Sequence, residues 1–119
     1  MNFKQDRRFI RDLKKLGKKY PTISQDLEVF KKTHTRIWEL ENKNDIIPFF
    51  QGRKNSILYG ALKEGINIVK ARMSSTDMND TSLRVIYAVN FQRIEITLIE
   101  IYSKHQKDNE DKQRWKEYR

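Results

Sequence analysis

From Gly65 onward the apolar residues of this chain recur at every second position, and the cations among them keep to one parity. In INIVKARM (66–73), Val69, Ala71 and Met73 fall on one side of an extended strand, and Ile68, Lys70 and Arg72 on the other. In LRVIYAVN (83–90), Leu83, Val85, Tyr87 and Val89 share a side and Arg84 takes the opposite one. The polar stretch SSTDMNDTS (74–82) joins the two as a loop. After a turn at Phe91 and Gln92, RIEITLIEIYSK (93–104) reads as a third strand rich in β-branched residues. Its alternation places Leu98, Glu100, Tyr102 and Lys104 together, with Ile99 and Ile101 toward the core. Strands patterned this way form an antiparallel sheet with one face buried and one left to water.

The N-terminal third supplies the cover. FIRDLKKLGKKYP carries Phe9, Ile10, Leu13 and Leu16 at helical spacing, with Asp6 as the N-cap and Gly17 and Pro21 marking the end. TISQDLEVFKKTHTRIWEL is a second helix with a stripe of Ile23, Leu27, Phe30, Ile37 and Trp38, capped by Thr22 or Ser24. The short link between them predicts an antiparallel helical hairpin. MNFKQ reads as a short edge strand. The segment IIPFFQGRKNSILYGALKEG has no clean period and reads as an irregular connection. The tail KDNEDKQRWKEYR reads as a helix with its acids early and its bases late, and Trp115 and Tyr118 placed to dock. The expected fold class is α+β: an N-terminal antiparallel helical hairpin on a small, mainly antiparallel twisted β-sheet, with a C-terminal helix, in one domain over residues 1–119.

Composition narrows the function classes. Cysteine is absent, which removes disulfides, thiolate metal sites and a cysteine nucleophile, and suits a reducing compartment. No apolar run approaches the roughly 20 residues of a membrane span, and the N-terminus has no secretory pattern, so the expectation is a soluble cytoplasmic protein without a membrane partner. The 25 Lys and Arg outnumber the 16 Asp and Glu by nine, a balance that suits a polyanionic partner. No Gly-rich phosphate loop and no serine nucleophile elbow is present.

The candidate site is therefore the open sheet face. Lys70, Arg72 and Arg84, joined by Lys104, form an expected anion site, since Arg grips phosphate with two donors and Lys acts as a point charge. Tyr102 or His105 would stack on a base or assist proton transfer. The plain alternative is a solvated sheet face with Glu100 pairing one of the cations. The basic face of the first helix, which includes Lys14 and Lys18, suits an acidic partner or a nucleic-acid backbone equally. His34 reads as a surface or boundary residue, and the two histidines make no metal site.

The ordered set RDLKKLGKKYP, INIVKARM, SLRVIYAV and ITLIEIYSKHQKDNEDKQRWKEY resembles the RelE/ParE superfamily of type II toxin–antitoxin toxins, in particular its RelE-like members. The likeness spans roughly residues 1–40 and 66–119; 41–65 departs from it and reads as an insertion or remodelled loop. It implies a toxin that cleaves mRNA, often on the ribosome, and is neutralised by a cognate antitoxin. The matching basic positions are Lys70, Arg72, Arg84 and Lys104, while Ile68 stands where some relatives carry a further cation. With His105 these are the expected catalytic set, and Tyr102, Lys107, Lys14 and Lys18 the expected RNA contacts. Cleavage without metal or small-molecule cofactor needs the 2′-hydroxyl deprotonated, the phosphorane's charge stabilised and the 5′-oxygen protonated. Clustered cations meet the second need; a crowded Lys70 or Lys104, or His105, meets the proton transfers. Two alternatives stand beside this: a non-nuclease relative directed at DNA gyrase, and a nucleic-acid-binding module without chemistry.

Overall fold

The computed structural model describes residues 1–40, 55–60 and 65–119. The described residues form an α+β fold. The elements run β1 (Asn2–Gln5), α1 (Arg7–Lys19), α2 (Ile23–Leu40), β2 (Asn55–Tyr59), β3 (Ile66–Ser75), β4 (Asp80–Asn90), β5 (Glu95–Ser103) and a five-residue α3 (Lys112–Lys116). The sheet order is β1-β5-β4-β3-β2, mixed because β1 runs parallel to β5 while the other three junctions are antiparallel.

Local chemistry explains the boundaries. Asp6 caps α1 by accepting from Arg8 N at 2.7 Å, and the Tyr20 N–H closes its far end on the Leu16 carbonyl. Thr22 lies immediately before α2, and its carbonyl accepts from Asp26 N. Two expectations change here. NSILY, read as part of an irregular connection, is a strand pairing with β3, interrupted between Ile57 and Tyr59, and that break hides its period. The rest of that connection, 41–54 and 61–64, lies outside the described residues. Gly60 closes β2 at φ 105°, where a Cβ would stand 2.1 Å from Asn67 Oδ1, so glycine is required. The tail is helical only over α3; residues 104–111 run instead across the sheet end, where His105, Lys107, Glu110 and Asp111 bind sheet residues.

Each face of the sheet has its own apolar cluster. On one, Phe9, Leu16, Tyr20, Ile23, Leu27 and Phe30 of the helical segments pack on Val69, Ala71, Met73, Leu83, Val85, Tyr87, Val89, Ile96, Leu98 and Ile101. On the other, Trp115 packs on Ile68, Ile86, Ala88, Ile99 and Tyr102. The expected sides of β3 and β4 hold. On β5 they change: Leu98 faces the helices and Ile99 the opposite cluster. The cause is a bulge, since Ile86 pairs with Glu100 while the next residue, Tyr87, pairs with Leu98, leaving Ile99 unmatched and switching the parity.

His34 is buried, not a surface residue, and it sits on the α2 stripe 23, 27, 30, 34, 37. Its Nδ1 lies 2.9 Å from the Phe30 carbonyl and its Nε2 3.1 Å from the Tyr87 hydroxyl, so Nδ1 donates and Nε2 accepts. Burial pushes its pKa from 6.5 down to about 4, against a smaller upward pull from the Phe30 carbonyl. The folded protein thus refuses a proton that the unfolded chain accepts. Stability is fully present above about pH 6.5 and falls as the pH drops toward 4, by about 3 kcal/mol in all. Urea unfolding at pH 7 and pH 4.5 should show this loss, and His34→Gln should flatten the profile between those points. Equal pH sensitivity in the two proteins would refute the assignment.

Candidate nucleic-acid site on the sheet face

Straight alternation carries the cations of β3 and β4 to the face opposite the helices. Arg72 and Arg84 are Cα partners across β3 and β4, and Arg84 is in turn the partner of Tyr102 on β5. These three side chains form one row across three strands. Lys70, Ile86 and Glu100 form the next row. Lys104 continues the β4–β5 ladder by one residue, its N–H donating to Ser82 O at 2.9 Å, and the strand's alternation puts it on the Tyr102 side.

The cations differ in what holds them. Arg72 is exposed and makes no hydrogen bond or ion pair among the described residues. Arg84 is half-buried and its Nη1 donates only to backbone carbonyls, Thr81 at 2.6 Å and Leu83 at 3.1 Å. Burial, and then the neighbouring charge of Arg72, lower the Arg84 pKa. Lys104 donates from Nζ to the Asp108 carbonyl at 2.7 Å. None of these three meets a carboxylate among the described residues. Two guanidinium groups directly opposite each other repel. The nearby charge of Asp80 offsets that repulsion at Arg84 only in part, and an anion would relieve the rest.

Lys70, Lys107 and His105 are engaged. Lys70 Nζ binds Glu110 Oε2 at 3.0 Å, and the Tyr102 hydroxyl lies 3.5 Å from the same oxygen. Lys107 Nζ binds Glu100 at 2.5 Å and stands 5.5 Å from the centre of the Tyr102 ring. Burial, then the charges of Glu110 and Glu100, push the Tyr102 pKa well up, so its hydroxyl keeps its proton and serves as a donor. The Glu110 carboxyl is lowered: burial works the other way, but hydrogen bonds from its own backbone N–H and from Lys70 outweigh it. His105 Nε2 lies 3.2 Å from Asp80 Oδ2. Hydrogen bonds from Ser82 and His105 hold the Asp80 carboxyl low, so it accepts and the His105 Nε2 donates. Lys14 and Lys18 are exposed on α1, across the sheet from this row, and do not join it.

The face is not open along its whole length, as the sequence led us to expect. The segment 104–119 crosses it. Trp115 is buried on Ile86 and Ile99, and Glu100 receives Asp111 N at 2.8 Å. Arg114 ties the tail to α1 and to the edge of β5, through Asp12 Oδ2 at 2.8 Å and the Ile99 carbonyl at 2.6 Å. The tail's end is tied to the start of α1 as well, with Tyr118 donating to Asp6 and Arg8 pairing with Glu117. Sequence reasoning named Glu100 as a partner for one of the cations but missed Glu110 and Arg114 as shapers of the site. Their contacts span 7 to 102 positions, and no local pattern announces the longer ones. The Arg72 end of the row stays exposed.

Compared with known proteins, the chain matches no family model, no curated protein and no solved structure. Among the described residues no helix is long and apolar enough to cross a membrane.

Proposed function

We propose that the chain is the toxin of a type II toxin–antitoxin pair, an mRNA endoribonuclease that acts with the ribosome and is held in check by a cognate antitoxin. The observation that carries this reading is the Arg72–Arg84 pair, two cations opposed across β3 and β4 that make no ion-pair contact with a carboxylate among the described residues. It agrees with the resemblance in the ordered segments around them. The reading takes in the finer architecture too, with α1 and α2 as an antiparallel hairpin and α3 as the family's terminal helix.

In this mechanism the 2′-oxygen attacks the adjacent phosphorus and the P–O5′ bond breaks, leaving a 2′,3′-cyclic phosphate and a 5′-hydroxyl. Arg72 and Arg84 bind the non-bridging oxygens, whose charge grows in the phosphorane. Proton transfers from the 2′-hydroxyl and to the 5′-oxygen fall to His105 through Nδ1 and to Lys104. Tyr102 offers a protonated phenol within the row. No metal takes part.

Incubating the purified protein with mRNA, in EDTA without ribosomes and in magnesium buffer with them, should yield fragments ending in 2′,3′-cyclic phosphate. Intact RNA in both arms would overturn the reading. The second reading is a nucleic-acid-binding module without chemistry, favoured by the engagement of Lys70 and Lys107 with carboxylates; it predicts RNA binding and no cleavage products. A gyrase-directed relative would instead block supercoiling by gyrase.

A further inference from the structure

We infer that Lys70 and the Tyr102 hydroxyl form a second anion seat, filled in the free protein by the carboxylate of Glu110, and that a phosphate of an RNA strand displaces that carboxylate. This rests on the reading of the sheet face as an RNA site.

Three observations carry it. Lys70 and the Tyr102 hydroxyl both converge on one oxygen of Glu110, at 3.0 and 3.5 Å. An ammonium and a phenol on one anionic oxygen is a donor set that a phosphate oxygen accepts equally well. The seat also lies beside the Arg72–Arg84 pair: Lys70 is two residues from Arg72 on β3, a rise of about 7 Å, comparable to the separation of successive phosphates on an extended strand. Finally, Glu110 belongs to the crossing segment, not to the sheet. That segment is pinned on either side of it, by Lys107 on Glu100 and by Asp111 N on Glu100, with Trp115 beyond. The carboxylate can therefore swing away by side-chain rotation while its backbone stays anchored.

A resident anion taxes every binding event, because the competent site is populated only when Glu110 is out. It also changes the salt dependence. An RNA phosphate arriving at Lys70 sets free the Glu110 carboxylate, which retains a cation beside the strand, so one fewer cation is released overall and the salt slope is shallower.

Glu110→Gln removes the charge and keeps the shape. Its affinity for a fluorescent 12-nucleotide RNA, made uncleavable by 2′-O-methylation, should rise about fivefold by anisotropy. The slope of log K against log salt should steepen by about 0.7. Adding Lys70→Met to Glu110→Gln should erase both gains. Unchanged or weaker binding by Glu110→Gln, or no binding by either protein, would overturn the inference. Should Glu110→Gln not fold, the wild-type protein decides: the Glu110 carboxyl carbon must shift in NMR spectra on titration with the same RNA, and a fixed signal would overturn it. Failure of the nuclease reading is separable. Tighter binding with no cleavage of ordinary RNA would sustain the seat and remove the enzyme. Cleavage with unaltered Glu110→Gln affinity and salt slope would remove the seat alone.

Discussion

Arg84→Ala is expected to lower single-turnover RNA cleavage by about 10²–10³-fold while weakening RNA binding by about tenfold at most. Arg84 is central in the row, flanked by Arg72 on one strand and Tyr102 on the other. Its guanidinium is oriented by two backbone carbonyls, so its donors are aimed before substrate arrives. Such preorganised charge counts most where negative charge grows, on the phosphorane, and less on the ground-state diester. Folding should survive the change, because the side chain is only partly buried and its removal relieves repulsion with Arg72. Arg72→Ala should act in the same direction. Single-turnover rates and direct binding, measured side by side, check this. Equal losses in the two would mean that Arg84 only holds RNA, and the binding-module reading would gain.

Trp115→Ala should cost about 3–5 kcal/mol of stability, the usual range for emptying a buried aromatic site. Trp115 is the one residue of α3 in the cluster with Ile68, Ile86, Ala88, Ile99 and Tyr102. Without it those side chains lose their cover on the second face of the sheet. A five-residue helix cannot hold itself, so the tail would depend on polar ties such as those of Arg114, Tyr118 and Lys107. A domain of this size has roughly 5–15 kcal/mol in total, so the loss takes a large share. Denaturant unfolding reads it directly, and a loss under about 1 kcal/mol would show that the tail adds little to the core. A detached tail would also carry Glu110 away from Lys70.

Much of the fold was legible because it follows from local periodicity. The alternation of β3 and β4 placed Lys70, Arg72 and Arg84 on one face, since a regular strand cannot do otherwise. The Asp6 cap and most of the buried stripes of α1 and α2 follow from spacing along a helix, although Ile10, read as part of the α1 stripe, is exposed. His34 was also legible in principle: its place on the 23–27–30–34–37 stripe outweighs the polarity of its ring, and Tyr87 waits on the facing strand. Other features were hidden. The bulge at Ile99 shifts parity without any glycine or proline to announce it. The break in β2 pairing at Ile57–Tyr59 blurs its alternation.

The sequence alone settled that this chain builds amphipathic strands with cations on one side and helices to cover the other, because backbone geometry ties side-chain direction to position parity. Only the tertiary structure decided which of those cations remain without a carboxylate in ion-pair contact. Glu110 reaches Lys70 across 40 positions and Lys107 takes Glu100, while Arg72 and Arg84 meet no carboxylate among the described residues. Charge pairing depends on distance in space, and that distance exists only once the tail has packed across the sheet.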